Sequence, residues 1–554
     1  MLRIWLLVFA LLPTLLFAQN PVGVSASNYL RYGTGTESVG LFSQKKDYFE
    51  NLLESKITIS DFLVGFRLLH DAPPEFGKEF TGLKKRFIEF RRDDLYVRAG
   101  NSFTLFGRGL VLNSFENRAL AFDSGLDGIK LEYKTRIMEA AVVGGDINYV
   151  DVLDSSKTEN YRIRGGTVEL KPYPIFSIGA SFVSGTYTPP PFLSYNEPTR
   201  FDMPQFFGHA QVADFDLYIS YAEKRTKVTS FFDTSLTHHG TAFYGSLGYT
   251  RENFGVSFEY KDYRFGIADP AERNKAYRGR KAYAFQNAPI VHKEHSLTLL
   301  SRYPHVIDFN DEVGYQIDVF YTFGQLTGTV NGSVASRHYA FMVTDTVYIT
   351  GTNIPYDVRY GSSPRSQSFL PSLNEKFSPF WEIYADMQYY FREGETDYAL
   401  LGFNRRSNQI ANEEILLGGA HPDVTFETTQ LTSVPVAVQY SIKEGWVLKF
   451  ISERQWVYEQ KNPAQPRFFN HLLSLGLSVS PDYAVTLRHE FTSDGATVDG
   501  RKDWTALDLS FHLGSSHLIT MSAGGNRGGL VCANGVCRVV NPFLGFRTSI
   551  LSYL

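Results

Sequence analysis

Apolar and polar residues alternate along most of this chain. Between residues 130 and 554, runs of roughly ten residues have a period of two, and tight turns and looser connections separate the runs alternately. In the run 254–260, the apolar residues Phe254, Val256, Phe258 and Tyr260 interleave with Gly255, Ser257 and Glu259. Successive side chains of a strand point to opposite faces of its sheet, so each run predicts a β-strand with one apolar and one polar face.

Soluble sandwiches and propellers show the same alternation, but further features favour a membrane barrel. Arg3, the apolar stretch 4–12 and the small residue Ala18 predict a signal peptide that is cleaved after residue 18. No other apolar stretch is long enough for a transmembrane helix. The 33 Tyr and 45 Phe, with 20% charged residues and a net charge of -4, suit aromatic girdles around a polar lumen.

Residues 19–554 contain no linker and no charge block, so we expect one transmembrane β-barrel domain after the signal peptide 1–18. Short turns on the periplasmic side alternate with long extracellular loops. Counting them predicts an all-β fold, a single antiparallel barrel of about 26 strands, with 22 and 24 as alternatives. One of these turns is assigned to residues 292–295, within the stretch 282–302, where the alternation is least regular.

A barrel of this size encloses an aqueous lumen unless a segment folds into it. The candidate segment is 103–126, which starts on the extracellular side but is too apolar for a solvated loop. The charged residues in and just after it are Arg108, Glu116, Arg118, Asp123 and Asp127. We expect these charges to pair with the barrel wall and the segment to form a lumenal constriction. The alternative is a structural plug that only braces a wide barrel.

The stretch 94–133, which contains this segment, and the C-terminal stretch 525–554 resemble a family of uncharacterised outer-membrane barrels found mainly in the Bacteroidota and their relatives. The resemblance extends over nearly the whole mature chain, and these two blocks are its specific motifs. It implies a barrel fold and an outer-membrane location. It implies no substrate and no catalytic or ligand-binding residue.

The last predicted extracellular loop contains Cys532 and Cys537 on either side of an Asn-Gly turn signal. In an exported chain with two cysteines, this spacing predicts a disulfide across a hairpin, and a metal site of two thiolates is less favoured. Another predicted outer loop is basic and contains Arg273, Lys275, Arg278, Arg280 and Lys281. This basic loop either binds lipopolysaccharide phosphates or anionic substrates, or is simply a solvated surface.

The sequence has no nucleophile elbow, Walker loop, dinucleotide fingerprint or HExxH motif. We therefore expect no enzyme, cofactor, metal site or nucleic-acid partner. The favoured function is a channel or porin-like transporter for small polar solutes in the outer membrane of a Gram-negative bacterium, narrowed by the inward loop. Expected partners are outer-membrane lipid, lipopolysaccharide and the barrel assembly machinery. The alternative is a surface or assembly protein with a plugged lumen, whose long connections 188–203 and 340–378 bind a partner.

Overall fold

One closed antiparallel barrel accounts for most of the structure. The computed structural model of the protein describes residues 22–40, 42–150, 158–188, 198–229, 235–266, 283–348, 355–365, 367–391, 396–414, 423–460 and 465–553. Within those residues, 24 strands form the barrel, and the first strand pairs with both the second and the last. The predicted all-β barrel is confirmed. The signal peptide and the basic loop at Arg273, Lys275, Arg278, Arg280 and Lys281 lie outside the described residues.

Both ends of the described chain and all the short turns but one lie at one end of the barrel, the inner end. The longer connections lie at the outer end, together with the short connection between Val39 and Phe42. The barrel strands are β1 (Val22–Val39), β2 (Phe42–Ile59), β3 (Phe62–Asp71), β4 (Phe80–Arg92), β5 (Leu95–Ser102), β8 (Leu126–Lys134), β9 (Met138–Val150), β10 (Thr158–Tyr173), β11 (Phe176–Thr188), β12 (Thr199–Val212), β13 (Phe215–Thr229), β14 (Ser235–Arg251), β15 (Phe254–Arg264), β16 (Glu312–Phe323), β17 (Leu326–Ser336), β20 (Phe380–Tyr390), β21 (Tyr398–Glu414), β22 (Asp423–Lys443), β23 (Trp446–Glu459), β24 (Arg467–Val479), β25 (Tyr483–Thr492), β26 (Asp503–Leu513), β27 (His517–Asn526) and β30 (Phe543–Tyr553).

Two-stranded ribbons lie in three of the outer connections. They are β6 (Glu116–Asn117) with β7 (Phe122–Asp123), β18 (Tyr339–Tyr348) with β19 (Pro355–Pro364), and β28 (Gly529–Ala533) with β29 (Val536–Val540). Short 3-10 helices occur at Arg118–Leu120 and Glu375–Phe377. No helix in the described part of the chain is long and apolar enough to cross a membrane.

The pairing register keeps the alternation in phase from strand to strand. Phe258 lies opposite Leu247 and Ile317, and all three side chains are exposed on the outer surface of the barrel. The next residue, Glu259, lies opposite Gln316 on the lumenal face. Directly opposed residues of an antiparallel pair share a face of the sheet. The outer surface is therefore apolar, as contact with lipid requires.

Aromatic residues ring the outer surface at the inner end, next to the short turns. Exposed members of this ring include Phe62, Tyr133, Tyr173, Phe176, Phe215, Tyr321, Phe323, Tyr389, Tyr440 and Tyr483. Aromatic side chains favour the interface between hydrocarbon and water, because their rings are apolar and their edges or hydroxyls are polar. This ring therefore marks the inner boundary of the lipid-facing band.

The barrel has 24 strands, which is within the predicted range of 22 to 26 and two fewer than the favoured count. The predicted turn at residues 292–295 does not exist, because residues 283–311 contain no strand and form one connection between β15 and β16. Without that turn, the two strands assigned to either side of it disappear from the count. The alternation is irregular there because the segment lies inside the lumen and has no lipid-facing side.

Leu475→Arg should lower the free energy of unfolding by about 2 to 4 kcal/mol, because Leu475 is exposed on the lipid-facing surface of β24. Ser474→Arg is the matched control at almost the same depth, and Ser474 faces the lumen opposite Arg488. It should cost less than about 1 kcal/mol. Equilibrium unfolding in phospholipid vesicles measures both costs, and equal costs at the two positions would contradict the assigned faces.

Candidate functional site

Three outer connections fold into the lumen and pack on one another. They are residues 103–125 between β5 and β8, residues 283–311 between β15 and β16, and the hairpin β28–β29, and together we call them the lumenal plug. Their buried apolar residues form one core with the inward faces of β9 to β15. The plug contributes Phe106, Leu110, Val111, Leu112, Leu120, Phe122, Tyr283, Phe285, Ala288, Val291 and Val536 to that core.

The wall that faces this core is aromatic rather than polar. The ring centroid of Tyr283 in the plug lies 4.6 Å from that of Phe201 and 5.5 Å from that of Tyr161. Phe285 lies 5.2 Å from Tyr161, again between ring centroids. All four side chains are at most 2% exposed. The inward faces of these strands contact the plug instead of water, so this side of the lumen is apolar where the alternation predicts a polar surface.

Ion pairs hold residues 103–125 to the wall formed by β3 and β4. A carboxylate oxygen of Glu116 lies 2.7 Å from Nη1 of Arg67, and the other lies 3.0 Å from Nζ of Lys85. Asp123 is 2.9 Å from the same Nζ. Glu116 and Asp123 face each other across the ribbon β6–β7, so one lysine bridges both of its strands. The predicted pairing of the loop with the wall is present here.

Arg118 and Arg108 occupy different parts of the same inward loop. Arg118 forms an ion pair with Glu50 of β2, which extends the line of anchors along the wall. Arg108 is exposed near the tip of the loop, with its guanidinium carbon 5.0 Å from the ring centroid of Tyr218. Tyr218 lies close to the inner end of β13. The loop therefore reaches deep into the barrel, and its tip carries a positive charge.

Asp127 does not face the lumen, although the sequence analysis groups it with the constriction. It lies in β8 in phase with Ile129, which is 61% exposed on the outer surface. Its ion-pair partner is Arg86, at 3.8 Å, which is also exposed. A strand places residues two apart on the same face, so Asp127 belongs to the outer surface near the outer end.

Residues 283–311 cross the lumen from the aromatic wall to the opposite wall. Glu453 of β23 accepts hydrogen bonds from the backbone N–H groups of residues 298–300 at 3.0, 2.8 and 3.3 Å. Arg302 lies 2.7 Å from a carboxylate oxygen of Glu490 in β25. Buried N–H groups outside a ladder need other acceptors, and the carboxylate supplies them. The crossing segment is thus attached at both walls.

The predicted disulfide between the two cysteines is formed. The hairpin that it closes does not project from the barrel, as an exposed outer loop would. The backbone N–H of Asn534 donates to Glu294 at 2.7 Å, and Arg538 donates to the carbonyl of Ala119 at 3.2 Å. The hairpin therefore joins the other two segments of the lumenal plug.

A polar cavity of about 360 Å³ remains on the other side of the lumen. Inward-facing residues of β1, β2, β25, β26, β27 and β30 form its wall. Many of these side chains are short and hydroxylated, namely Thr486, Ser510, Thr520, Ser522 and Ser549. Ala484, one residue into β25 from the inner turn, also lines the cavity. The cavity therefore lies in the inner half, in the space that short side chains leave unfilled.

The polar side narrows toward the outer end at Tyr48, Glu75 and Arg547. These residues line both the cavity and a second void of about 10 Å³, which extends toward Glu37 and Phe543 at the outer ends of their strands. Such a void has room for about one water molecule. These three residues thus line a narrow part of the polar side of the lumen.

The connection 72–79, between β3 and β4, covers this narrow part. Arg31 of β1 holds Glu75 through a contact of 2.5 Å between Nη1 and Oε2. The ring of Phe76 stacks against the guanidinium of Arg538 in the disulfide hairpin. The connection 72–79, which covers the polar side of the lumen, is therefore attached to the lumenal plug.

Comparison with known proteins identifies a family for the chain. The profile of DUF6029, described as a family of unknown function, matches residues 24–554. The chain belongs to this family. No curated protein matches the sequence.

Solved structures provide distant likenesses. The siderophore receptor PirA from Pseudomonas aeruginosa is 8% identical over 97% of this chain and 81% of its own, with a TM-score of 0.43. A mutant of the ferric enterobactin receptor PfeA from the same organism is 8% identical with the same coverage and a TM-score of 0.46. The translocation pore of the P pilus usher PapC is 8% identical over 96% and 99% of the two chains, with a TM-score of 0.38. These values describe similarity in fold alone.

The apolar character of residues 103–126 predicts the inward loop of this family member, but no pattern in the sequence predicts the polar cavity. Arg31, Asp508 and Arg547 each lie at a polar position of an alternating strand, which is a signal for the lumenal face. Nothing in the alternation tells which strands become neighbours when the barrel closes. The pairing of β1 with β30 brings Arg31 opposite Ser549 and so completes the cavity.

Glu116 should make the anchoring of the inward loop depend on pH. Although burial opposes its ionisation, the hydrogen bond from Arg67 and the charge of Lys85 lower the pKa of Glu116 below its ordinary value of 4.5. A lowered pKa in the folded state means that the stabilisation is present above that value and is lost as the pH falls below it. The protection factors of the backbone amides in residues 116–123, measured by hydrogen exchange and corrected for the intrinsic exchange rates, should therefore decrease as the pH falls below 4.5.

The Glu116→Gln variant is the control for this prediction, because its amide does not titrate. The ribbon should be less protected in the variant at neutral pH and should change less on acidification. The same pH dependence in both proteins would contradict a role for Glu116 in anchoring the loop.

Proposed function

We propose that this protein is an outer-membrane barrel of a Gram-negative bacterium that passes small polar solutes along the polar side of its lumen. The observation that carries the proposal is the cavity of about 360 Å³ that persists beside a plug filling the other side. Hydroxyl groups and charges of both signs line it. Such a surface forms hydrogen bonds with water and with polar solutes, and it does not stabilise apolar solutes.

The outer surface supports the membrane location. An antiparallel barrel whose apolar outer band ends in a ring of aromatic residues fits a bilayer. Short turns at one end and long connections at the other are typical of barrels inserted from the periplasm. In that orientation, the polar cavity lies on the periplasmic side, and the narrow part at Tyr48, Glu75 and Arg547 lies between the cavity and the cell exterior.

Size selection in this proposal occurs at the narrow part of the polar side. The plug restricts the lumen by filling its apolar side, and its ion pairs brace the wall. Ala72 and Pro73 continue the β2–β3 ladder through backbone hydrogen bonds with Phe49, whereas residues 74–79 beyond them contain no strand and can shift without breaking it. Movement of Glu75 and Phe76 away from Arg31 and Arg538 would widen the path. Solutes larger than water depend on that movement.

A surface function is the second candidate, and one observation favours it. In the outer connection between β17 and β20, Phe369, Leu370 and Leu373 are 59%, 45% and 67% exposed. Exposed apolar residues that lie close together are typical of interaction sites. In this alternative, the lumen is closed and the connection binds a partner.

Phe76→Ala and Glu75→Ala should each raise single-channel conductance in planar bilayers, because each removes part of the cover over the narrow polar path. Asp127→Asn is the control variant, since Asp127 faces away from the lumen, and its conductance should equal that of the native protein. Swelling of liposomes in small sugars and amino acids then measures which solutes pass.

Conductance that is unaffected by both cover variants would contradict a path past Glu75 and Phe76. Absence of conductance in the native protein and in both variants would favour the surface function. In that event, replacing Phe369 and Leu373 by serine should abolish the interaction with a partner and leave the barrel fold intact.

A further inference from the structure

Two opposite charges face the polar cavity without ion-pair partners. Asp508 of β26 and Arg547 of β30 both line the cavity. In the described part of the chain, no oppositely charged group lies within 4.0 Å of either side chain. The Nε of Arg547 is buried and has no hydrogen-bond partner among the same residues. Both side chains therefore retain unused capacity to bind a charged group.

The register places these two charges on one row of lumenal residues. Asp508 lies opposite Ser522, and Ser522 lies opposite Arg547. Neighbouring strands are about 4.8 Å apart, so the Cα atoms of Asp508 and Arg547 are separated by roughly 10 Å. Thr486 extends the row beyond Asp508, and Gly33 extends it beyond Arg547. The negative and the positive charge are thus separated in this row by the single small residue Ser522.

The other basic residue at the cavity is already neutralised. Arg31 lies 2.8 Å from a carboxylate oxygen of Glu50 and 2.5 Å from one of Glu75. Arg547 instead stacks on Phe543, with its guanidinium carbon 4.1 Å from the ring centroid. Stacking orients a guanidinium and leaves its edge N–H groups able to donate. The cavity therefore offers one site for an anionic group and one for a cationic group.

We infer that this cavity binds small zwitterions, with Asp508 binding an ammonium group and Arg547 binding a carboxylate group a few bonds away. The hydroxyl of Ser522 can add a hydrogen bond between the two ends, and that of Thr486 can add one beside the ammonium group. A solute with one sign of charge is attracted by one residue and repelled by the other, and a neutral solute gains from neither. The inference rests on the proposed function for the route of the solute and names its chemical class.

Binding of glycylglycine to the detergent-solubilised full chain tests the inference, with calorimetry or saturation-transfer NMR as the readout. Succinate, 1,4-diaminobutane and glucose serve as anionic, cationic and neutral probes. Native protein should prefer glycylglycine. Asp508→Asn and Arg547→Gln should each weaken its binding by about tenfold or more, because each removes a charge-assisted hydrogen bond.

Charge reversal gives a sharper test that does not depend on loss of binding. Asp508→Arg should shift the preference to succinate, and Arg547→Asp should shift it to 1,4-diaminobutane. The double variant with both changes should again prefer glycylglycine, because it carries the same two charges in exchanged positions. Recovery in the double variant excludes misfolding as the cause of the single-variant effects.

The outcomes separate this inference from the proposed function. Equal or absent binding of glycylglycine and the three comparison probes to native protein would overturn the zwitterion site, whatever the conductance. Binding that follows the charge changes in a protein without conductance would overturn the proposed passage and leave the site standing. Binding together with glycylglycine flux that falls in Asp508→Asn and Arg547→Gln supports both.

Discussion

Closure of the sheet between β1 and β30 is the constraint on which the rest of the structure depends. Backbone N–H and C=O groups have no water to bind inside a lipid bilayer, so a spanning sheet must have no free edge. The described ends of the chain meet this requirement by pairing along residues 27–37 of β1. Closing 24 strands also makes the lumen too wide for wall side chains to fill. The lumen must then contain water, further chain segments, or both.

This barrel contains both, and they lie on opposite sides. On one side, aromatic residues such as Tyr161 and Phe201 pack on the plug and exclude water. On the other side, short hydroxylated side chains leave a polar cavity. The crossing segment 283–311 joins the two, since Glu453 accepts its backbone N–H groups beyond the aromatic wall. Division of the lumen, rather than a single loop across an open tube, determines what route a solute can take.

Local chemistry in the sequence predicts the strands, their two faces and the disulfide, because each depends on neighbours within a few residues. Phe258 and Glu259 illustrate the first two, since period two alone assigns them to opposite faces. The observed 24 strands are one of the predicted alternatives, and the favoured count of 26 is higher because the apolar residues of 283–311 resemble those of a strand but pack inside the lumen. The outward position of Asp127 follows from the phase of β8, because Asp127 and Ile129 are two residues apart on one strand.

The composition of the lumen could not be predicted from the alternation. A polar residue and a tyrosine can each occupy an inward position of an alternating strand. Whether that position is buried depends on whether the lumenal plug packs against it. Arg31 and Arg547 are more than five hundred positions apart in sequence and share a cavity only because the first and last strands pair. Long-range closure therefore supplies the information about the site that local pattern lacks.

The most direct test of a divided lumen is the reactivity of cysteines placed on its two sides. Ser522→Cys faces the polar cavity, and Ala242→Cys lies in the buried core against the plug. A water-soluble methanethiosulfonate should modify the first in the bilayer and reduce its conductance, and it should leave the second unmodified. Equal modification of both, or modification of the first without any change in conductance, would contradict a solute path along the polar side.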